Sequence, residues 1–544
     1  MTSSVAQNPK QVVPASPLKK PVFYAIAILL IGHFVLIILT FRDYGMCWDQ
    51  PGLHRYGQAV VRFYTSFGHD TLVRHDDLKL YGGLFEIATN AVQSQTHLGW
   101  LEARTLSGAL FGLLGIWTAF RLGALAFGPI VGLTAALFLA LTPTYYGHEF
   151  INPKDIPFAA LYLLSVRYIL QISLDFPDLL WSTTFKAGLA IGATLGIRAG
   201  GLILFPFLVG GLGLSLLLNI KAKQRGILAW KLLTKGLPHS VAILILAWLI
   251  MLLSWPFAWK AHYGIPFFRA PFVALAEFSN YPWNGTVFFQ GNMIRWNELP
   301  RTYLITLFAN CLPEFILAGW VLGLVALLKL CFLRHKVSNA ETLSAIMLLI
   351  AGAAPIVVII VEHAPLYDNF RHVLFALLPL IVLAAAGVWT FLKFFQNETV
   401  RLICIVAYTL GMVTTIADMW ALHPYEYTYF NRLIAGGMEQ ANQRFEMEYW
   451  GTAFREAAIW LKEYYRPPGV LEIVYDTNAL REMTDYFMEQ APPEGVKFHH
   501  PVDGEKVKVY LLFRRGNQLT EPGFGHIVHT IKREGVPFLD IVEM

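Results

Sequence analysis

Apolar runs of about 20 residues recur eleven times before residue 420, and a helix of that length crosses about 30 Å of hydrocarbon. They fall at about 21–41, 104–126, 129–147, 156–174, 184–201, 202–219, 237–256, 304–331, 343–361, 371–393 and 400–420. The pair 184–219 is split only by Arg198-Ala199-Gly200-Gly201, so ten or twelve spans also fit the pattern. Hydrophobic residues make up 56% of the chain and charged residues 15%, with a mean hydropathy of +0.49. Soluble domains carry nearer ~25% charge, so a string of soluble domains is excluded, as is disorder. Three of the four cysteines, Cys311, Cys331 and Cys404, lie in apolar stretches, and none is spaced as a zinc or redox pair. The expected fold class is therefore mainly α, a polytopic helical bundle of the membrane.

Lys and Arg in short connections set orientation. Lys10, Lys19, Lys20, Arg121, Lys186, Lys221, Lys223, Arg225, Lys231, Lys235, Lys329, Arg334, Lys336, Lys393 and Arg401 fall on one side with eleven spans, which makes that side cytoplasmic. The net charge of +5 thus reads as an orientation signal and not as a nucleic-acid surface. Residues 1–20 read as a disordered cytoplasmic tail, and the first span as a retained anchor. Residues 21–420 form the membrane domain, with outer loops 42–103 and 257–303. Residues 421–544 turn charged, with a helix at Phe454–Tyr465 and strands at Val470–Tyr475, Val507–Phe513 and His526–Lys532. They are expected to form a small extracytoplasmic α+β domain.

Ionisable groups at the edge of a membrane are costly to keep and mark function by default. Asp49, in Cys47-Trp48-Asp49-Gln50-Pro51, stands just past the first span and before an amphipathic segment, 52–64. It can act as a general base on a hydroxyl or simply cap that helix. Asp155 follows Lys154 in the turn His148-Glu149-Phe150-Ile151-Asn152-Pro153-Lys154-Asp155. It can cap the fourth span, or orient an acceptor or metal while Lys154 holds a phosphate. His148 and Glu149 are weak metal candidates, being adjacent. Arg198 suits a phosphate beside its glycines, or snorkels to water. Arg371 and His372, in Tyr367-Asp368-Asn369-Phe370-Arg371-His372, can neutralise a phosphate, and Asp368 can pair with Arg371 to fix the turn. Tyr281 through Gly291 is aromatic and suits sugar or a polyprenyl tail. The central thirds of the spans are nearly bare of charge, Glu314 being placed two or three turns into the eighth.

These motifs, in this order and sidedness, resemble the GT-C glycosyltransferases, in the branch of protein O-mannosyltransferases and the lipid A aminoarabinose transferase. The resemblance covers residues ~20–420. Asp49 stands where the family has an Asp-Glu base motif, with Gln50 in place of the Glu; Asp155 and Arg198-Ala199-Gly200 match its later acidic and basic turns. Tyr81-Gly82-Gly83-Leu84-Phe85-Glu86, the 367–372 turn and His423 through Gly451 look like a bacterial subgroup of unassigned acceptor. The resemblance implies inverting transfer of a sugar from a polyprenyl-phosphate carrier to a protein, lipid or glycan acceptor at the outer face of the cytoplasmic membrane. It implies Asp49 and Asp155 as catalytic residues, and Arg198, Arg371, His372 and Lys154 on the donor phosphate. Tyr56, Tyr81, Glu86, Trp283 and Asn284 fall to the acceptor or lid, and a divalent cation is an open addition. The rival classes are a transporter or flippase of lipid-linked sugar, and a noncatalytic membrane scaffold.

Overall fold

The computed structural model describes residues 20–70, 77–219, 230–259, 268–279, 283–332, 337–465, 470–474, 478–489, 506–516 and 525–544. The tail 1–19 and the tyrosine of the 281–291 segment lie outside them.

The bundle is built from α1 (Lys20–Thr40), α4 (Trp100–Phe127), α5 (Pro129–Ala140) with α6 (Pro143–Ile151), α7 (Asp155–Asp175), α8 (Trp181–Leu195), α9 (Leu204–Asn219) and α10 (Leu237–Ser254). It continues, past the short α11 (Ala270–Ser279), with α12 (Tyr303–Cys311), α13 (Glu314–Phe332), α14 (Asn339–Glu362), α15 (Leu374–Leu392) and α16 (Glu398–Leu422). Among the described residues eight helices are long and apolar enough to cross a membrane, and up to ten spans result if each of two bent pairs is one. The chain is a multi-pass membrane protein. Helix α8, with 15 residues, is too short to qualify by length, yet its ends join opposite ends of the bundle. Thr184 meets His239 at one, and the Gly196 carbonyl accepts the Leu84 N–H at the other. With α8 added to the eight helices and the two bent pairs, the described residues hold eleven candidate spans.

The structure corrects two of the expected spans. Residues 129–147 are not one rod: the chain turns by 63° between α5 and α6. Residues 304–331 break at Leu312-Pro313, where α12 and α13 meet at 114°. Pro313 cannot donate an N–H to a continuing helix, while its fixed φ suits the start of a new one. Glu314 is therefore not two or three turns deep. It opens α13, and its carboxylate accepts the N–H groups of Arg432 (2.9 Å) and Leu433 (3.1 Å).

Helix α2 (Gln50–Thr65) is the amphipathic segment. Leu53, Tyr56, Val60 and Phe63, spaced three and four apart, are buried, while Arg55, Gln58 and Arg62 are exposed. It packs on α3 (Leu84–Gln95). Between them, the glycine pair makes a close backbone crossing: Gly82 N–H donates to the Ile197 carbonyl (3.1 Å) and Gly83 N–H to that of Ser254 (2.8 Å). A Cβ on Gly82 would run into the Gly196 backbone, and this contact brings Tyr81 beside Arg198.

After α16 the chain crosses the end of the bundle that carries Asp49, called the upper end below. Tyr425, Tyr427, Tyr429, Tyr449 and Trp450 are all buried there. The hairpin β1 (Thr286–Phe289) and β2 (Asn292–Arg295), turning on Gln290 and Gly291 with φ of 50° and 81°, leans on Phe445. Two residues with positive φ fit the twist of a two-residue hairpin. Then follow α17 (Gly437–Asn442), α18 (Phe454–Glu463), β3 (Val470–Val474), α19 (Asn478–Glu489), β4 (Lys506–Phe513), β5 (His526–Arg533) and β6 (Val536–Glu543). The strands form one sheet in the order β3-β4-β6-β5, with β3 and β4 parallel and the other pairs antiparallel. Three strands and α18 lie where the sequence expects them; β6 and α19 are additions. The buried core is continuous from the bundle into this region.

Candidate active site at the upper end of the bundle

Four apolar helices end in a polar residue at the upper end, and four turns bring those residues together. Asp49 occupies the N-cap position of α2, but its side chain makes no capping hydrogen bond. It instead accepts from Nζ of Lys154 at 2.7 Å. Asp155 begins α7, and there too the capping is done by another residue. The Oδ1 of Asn152 accepts the N–H groups of Lys154 (3.2 Å) and Asp155 (2.8 Å). That leaves the Asp155 carboxylate free for two guanidinium groups, Arg198 at 2.6 Å and Arg371 at 3.3 Å, with Asn152 Nδ2 at 2.9 Å. Both arginines, far apart in sequence, meet on one buried carboxylate.

Arg371 is bound on its other side by Asp368 at 3.1 Å. Asp368 is shared again: Trp450 Nε1 donates to it at 3.0 Å and Arg515 at 3.0 Å, and Arg515 also reaches Glu446 at 2.9 Å. An unbroken chain of alternating charges therefore runs Glu446–Arg515–Asp368–Arg371–Asp155–Arg198, with Lys154–Asp49 alongside. Arg515, between β4 and β5, and Glu446 are functional candidates that the sequence reading missed. One Arg in a charged segment gives no signal.

Exposure separates the roles. The side chains of Asp155, Arg371 and Asp368 are 3%, 4% and 3% exposed, while Asp49 is 34% and Arg198 18% exposed. The first three form a buried frame, Asp49 and Arg198 are its reachable edge, and Lys154, 10% exposed, lies just beneath Asp49. Tyr81 caps that edge, with Lys154 Nζ 4.9 Å and Arg198 Cζ 5.5 Å from its ring centre. Trp283 stacks on Tyr367 at 4.2 Å, and Tyr367 in turn meets His372 edge-on and Arg371 face-on. Buried Nε atoms of Arg198 and Arg371 and Nδ1 of His372 have no partner.

Burial works to raise the pKa of Asp49, but the Lys154 ammonium and the Arg371 guanidinium outweigh it, and its carboxyl is held below the usual range. Lys154 is pushed above its ordinary value: burial opposes its charge, and the Asp49 carboxylate more than restores it. Both are charged near neutral pH.

Other expected site residues lie elsewhere. Glu86 is not at the acceptor edge: it turns away from Tyr81 along α3 and makes a buried two-armed ion pair with Arg104 of α4. Tyr56 is buried, and its hydroxyl donates to the Tyr81 carbonyl at 2.6 Å, so it supports Tyr81 from below. Asn284 is exposed beside Trp283. His148 and Glu149 do not form a metal pair. Successive helical residues point apart, so His148 meets Tyr449 (3.1 Å) and Asn152 (3.2 Å), while Glu149 pairs with His33 of α1 at 2.8 Å. Among the described residues no group of three or more His, Cys, Asp or Glu converges as metal ligands would. Gln50, the residue after Asp49, is buried with its amide on the Ile151 carbonyl at 3.3 Å.

No family model matches the chain, and no curated protein does. Solved structures do. That of ArnT from Cupriavidus metallidurans bound to undecaprenyl phosphate is 12% identical, with a TM-score of 0.49 over 86% of this chain and 85% of that one. The apo state of the same protein is 15% identical, with 0.48 over 96% and 98%. The apo oligosaccharyltransferase of Archaeoglobus fulgidus is 14% identical, with 0.48 over 88% of this chain and 62% of that one. The chain thus matches less than two thirds of the archaeal protein's length. The chemistry below is argued from this chain's own side chains.

Proposed function

We propose that the chain is an inverting glycosyltransferase that moves a sugar from a polyprenyl-phosphate carrier to an acceptor hydroxyl at the outer membrane face. The observation that carries this reading is the Asp49 carboxylate, about a third exposed, beside Lys154 and Arg198 at one end of an apolar bundle. The Lys/Arg asymmetry makes that end extracytoplasmic. A lipid carrier presents its phosphate at that depth, and the Lys154 and Arg198 cations beside Asp49 suit it.

The acceptor O–H gives its proton to Asp49 as its oxygen bonds to the anomeric carbon. The bond from that carbon to the phosphate oxygen breaks, and the electron pair leaves on the lipid phosphate. Lys154 and Arg198 stabilise the charge that develops there. Asp155 does not reach solvent, so it orients Arg198 and Arg371 and is a positioning residue. A phosphate that takes up hydrogen bonds from Lys154 weakens that ammonium's hold on Asp49, which raises the basicity of Asp49 when the donor is in place.

The polar cluster sits at one end, not at mid-bundle on broken helices as a transporter site would. Incubating purified protein with a radiolabelled polyprenyl-phosphate sugar and an envelope extract tests the reading. Label moving to acceptor with wild type but not with Asp49→Asn supports it. Label that only crosses a liposome membrane, still lipid-linked, overturns it in favour of a flippase.

A further inference from the structure

At the opposite, lower end of the bundle, α7 carries Arg167, which is 92% buried with Nε and Nη1 lacking any partner. It is about 12 Å from the end of α7, at ~1.5 Å per residue over the eight residues to Asp175. The sides of α7 are almost wholly buried apart from the partly exposed Leu164, Tyr168, Gln171, Leu174 and Asp175, and the buried Arg167 lies on the same helix face as Leu164, Tyr168 and Gln171. Its guanidinium lies over the Tyr168 ring at 4.5 Å. Helix α4 packs along α7 and contributes the same pairing, Arg121 over Trp117 at 5.4 Å. Arg121 acts on Arg167 as a like charge, and Asp175, which bonds Gln171, is the carboxylate that acts on it in the opposite sense.

Arg167 keeps two buried donor atoms without a partner, and Arg121 stands on the helix packed against it, so the pair calls for an anion. An unpaired charge inside a bilayer is expensive. Arg and aromatic side chains at this depth match the groups that contact lipid phosphates on the cytoplasmic side. We propose that Arg167 and Arg121 form a binding site for the phosphate of an anionic lipid headgroup in the cytoplasmic leaflet. The site rests on the orientation argued above but not on the transfer reaction, and it lies at the other end of the bundle from Asp49.

The test uses delipidated full-length protein in detergent. Short-chain phosphatidylglycerol, phosphatidylcholine and inorganic phosphate are titrated separately, and retention is read by native mass spectrometry and Tm. Phosphatidylglycerol should be retained and raise Tm, and Arg167→Gln should weaken it by roughly fivefold or more, given about 1 kcal/mol per cation at an anionic surface. Without lipid, Arg167→Gln should keep or raise Tm, because an uncompensated buried charge is removed. A merely structural arginine would give the reverse, a lower Tm without lipid and an unchanged lipid affinity, and this result would overturn the proposal. Inorganic phosphate or phosphatidylcholine binding as tightly as phosphatidylglycerol overturns the anionic-lipid assignment. Arg121→Gln, at an exposed position, repeats the test where Arg167→Gln fails to fold. Loss of transfer activity in Asp49→Asn leaves this site untouched, so the two readings fail independently.

Discussion

The ammonium of Lys154 lies 2.7 Å from the carboxylate of Asp49, although the two residues are 105 positions apart. This contact joins the loop after α1 to the turn before α7 and puts the most exposed acid of the cluster under the control of a cation. Asp49→Asn keeps the shape and removes the base. We expect it to lose transfer by about 100-fold or more, in line with the usual worth of a general base, while donor binding and Tm stay near wild type. An Asp49→Asn enzyme with close to normal turnover would shift the role to another group.

Because the Asp49 carboxyl is held below its ordinary value, the acid limb of the rate–pH profile should lie below the usual carboxylate range. Transfer should persist as pH falls and be lost only as the depressed pKa is passed. Lys154→Met removes the main cause of the depression. Its acid limb should move to higher pH, and the donor KM should rise. An unchanged limb in Lys154→Met would mean that the titrating group is not Asp49.

Arg198 and Arg371 should behave differently, although both touch Asp155. Arg198 is partly exposed and should contact the donor phosphate, so Arg198→Ala should raise donor KM with little loss of Tm. Losing one partner of a desolvated pair costs ~2–5 kcal/mol, or about 30-fold to several thousand-fold. Arg371 is buried between Asp155 and Asp368. Arg371→Ala strands two buried carboxylates and should cost about 3–5 kcal/mol of stability. Equal Tm for the two variants would show that the buried frame is not structural.

What the sequence reveals of this site depends on contrast. Asp49, Asp155, Arg198 and Arg371 stand out because each ends an apolar run, where charge is costly and its presence needs a reason. Arg515 and Glu446 lie in a segment where charge is ordinary, and only the fold shows that they extend the same network. Glu86 misleads for a local reason: its motif does reach the site through Tyr81, but the helical turn that follows aims its carboxylate at Arg104. The break at Leu312-Pro313-Glu314 carries a readable signal, a proline and then an acid at a helix start, masked by the apolar residues on both sides. The β1–β2 hairpin has its signal in Gln290-Gly291, hidden in a stretch whose aromatic content reads as suited to sugar or a polyprenyl tail.

Glu448 tests the floor of the site. Its carboxylate accepts N–H groups from Trp450 (3.1 Å), Gly451 (2.9 Å) and Thr452 (3.2 Å), together with the Tyr427 hydroxyl. Trp450 is thereby fixed where its indole reaches Asp368. Glu448→Gln puts an amide donor among donors and should cost about 1–3 kcal/mol. Chemical denaturation should show the loss; an unchanged midpoint would mean the turn is held by packing alone.

The last prediction concerns His423, which fastens the end of α16 to the loop after α1. Its Nδ1 is 2.8 Å from Glu426 and its Nε2 3.2 Å from Asp43, and its carbonyl accepts from Arg533 Nε at 2.8 Å. The Tyr44 ring packs edge-on against it, and the Tyr44 hydroxyl donates to Glu426. Partial burial alone would lower the imidazole pKa, but the two carboxylates outweigh it and the net shift is upward. A folded-state pKa above the unfolded value means that the folded protein binds the proton more tightly. The stabilisation is then fully present below the ordinary histidine value and is lost as pH rises through the raised one. Tm should therefore fall as pH climbs through that window, more steeply in wild type than in His423→Gln. Asp43 and His423 are about half and a third exposed, so salt should shrink the difference. Identical slopes for the two proteins at low ionic strength would show that the imidazole is not charged in this clasp, and that α16 is held there by Tyr44 and Arg533 alone.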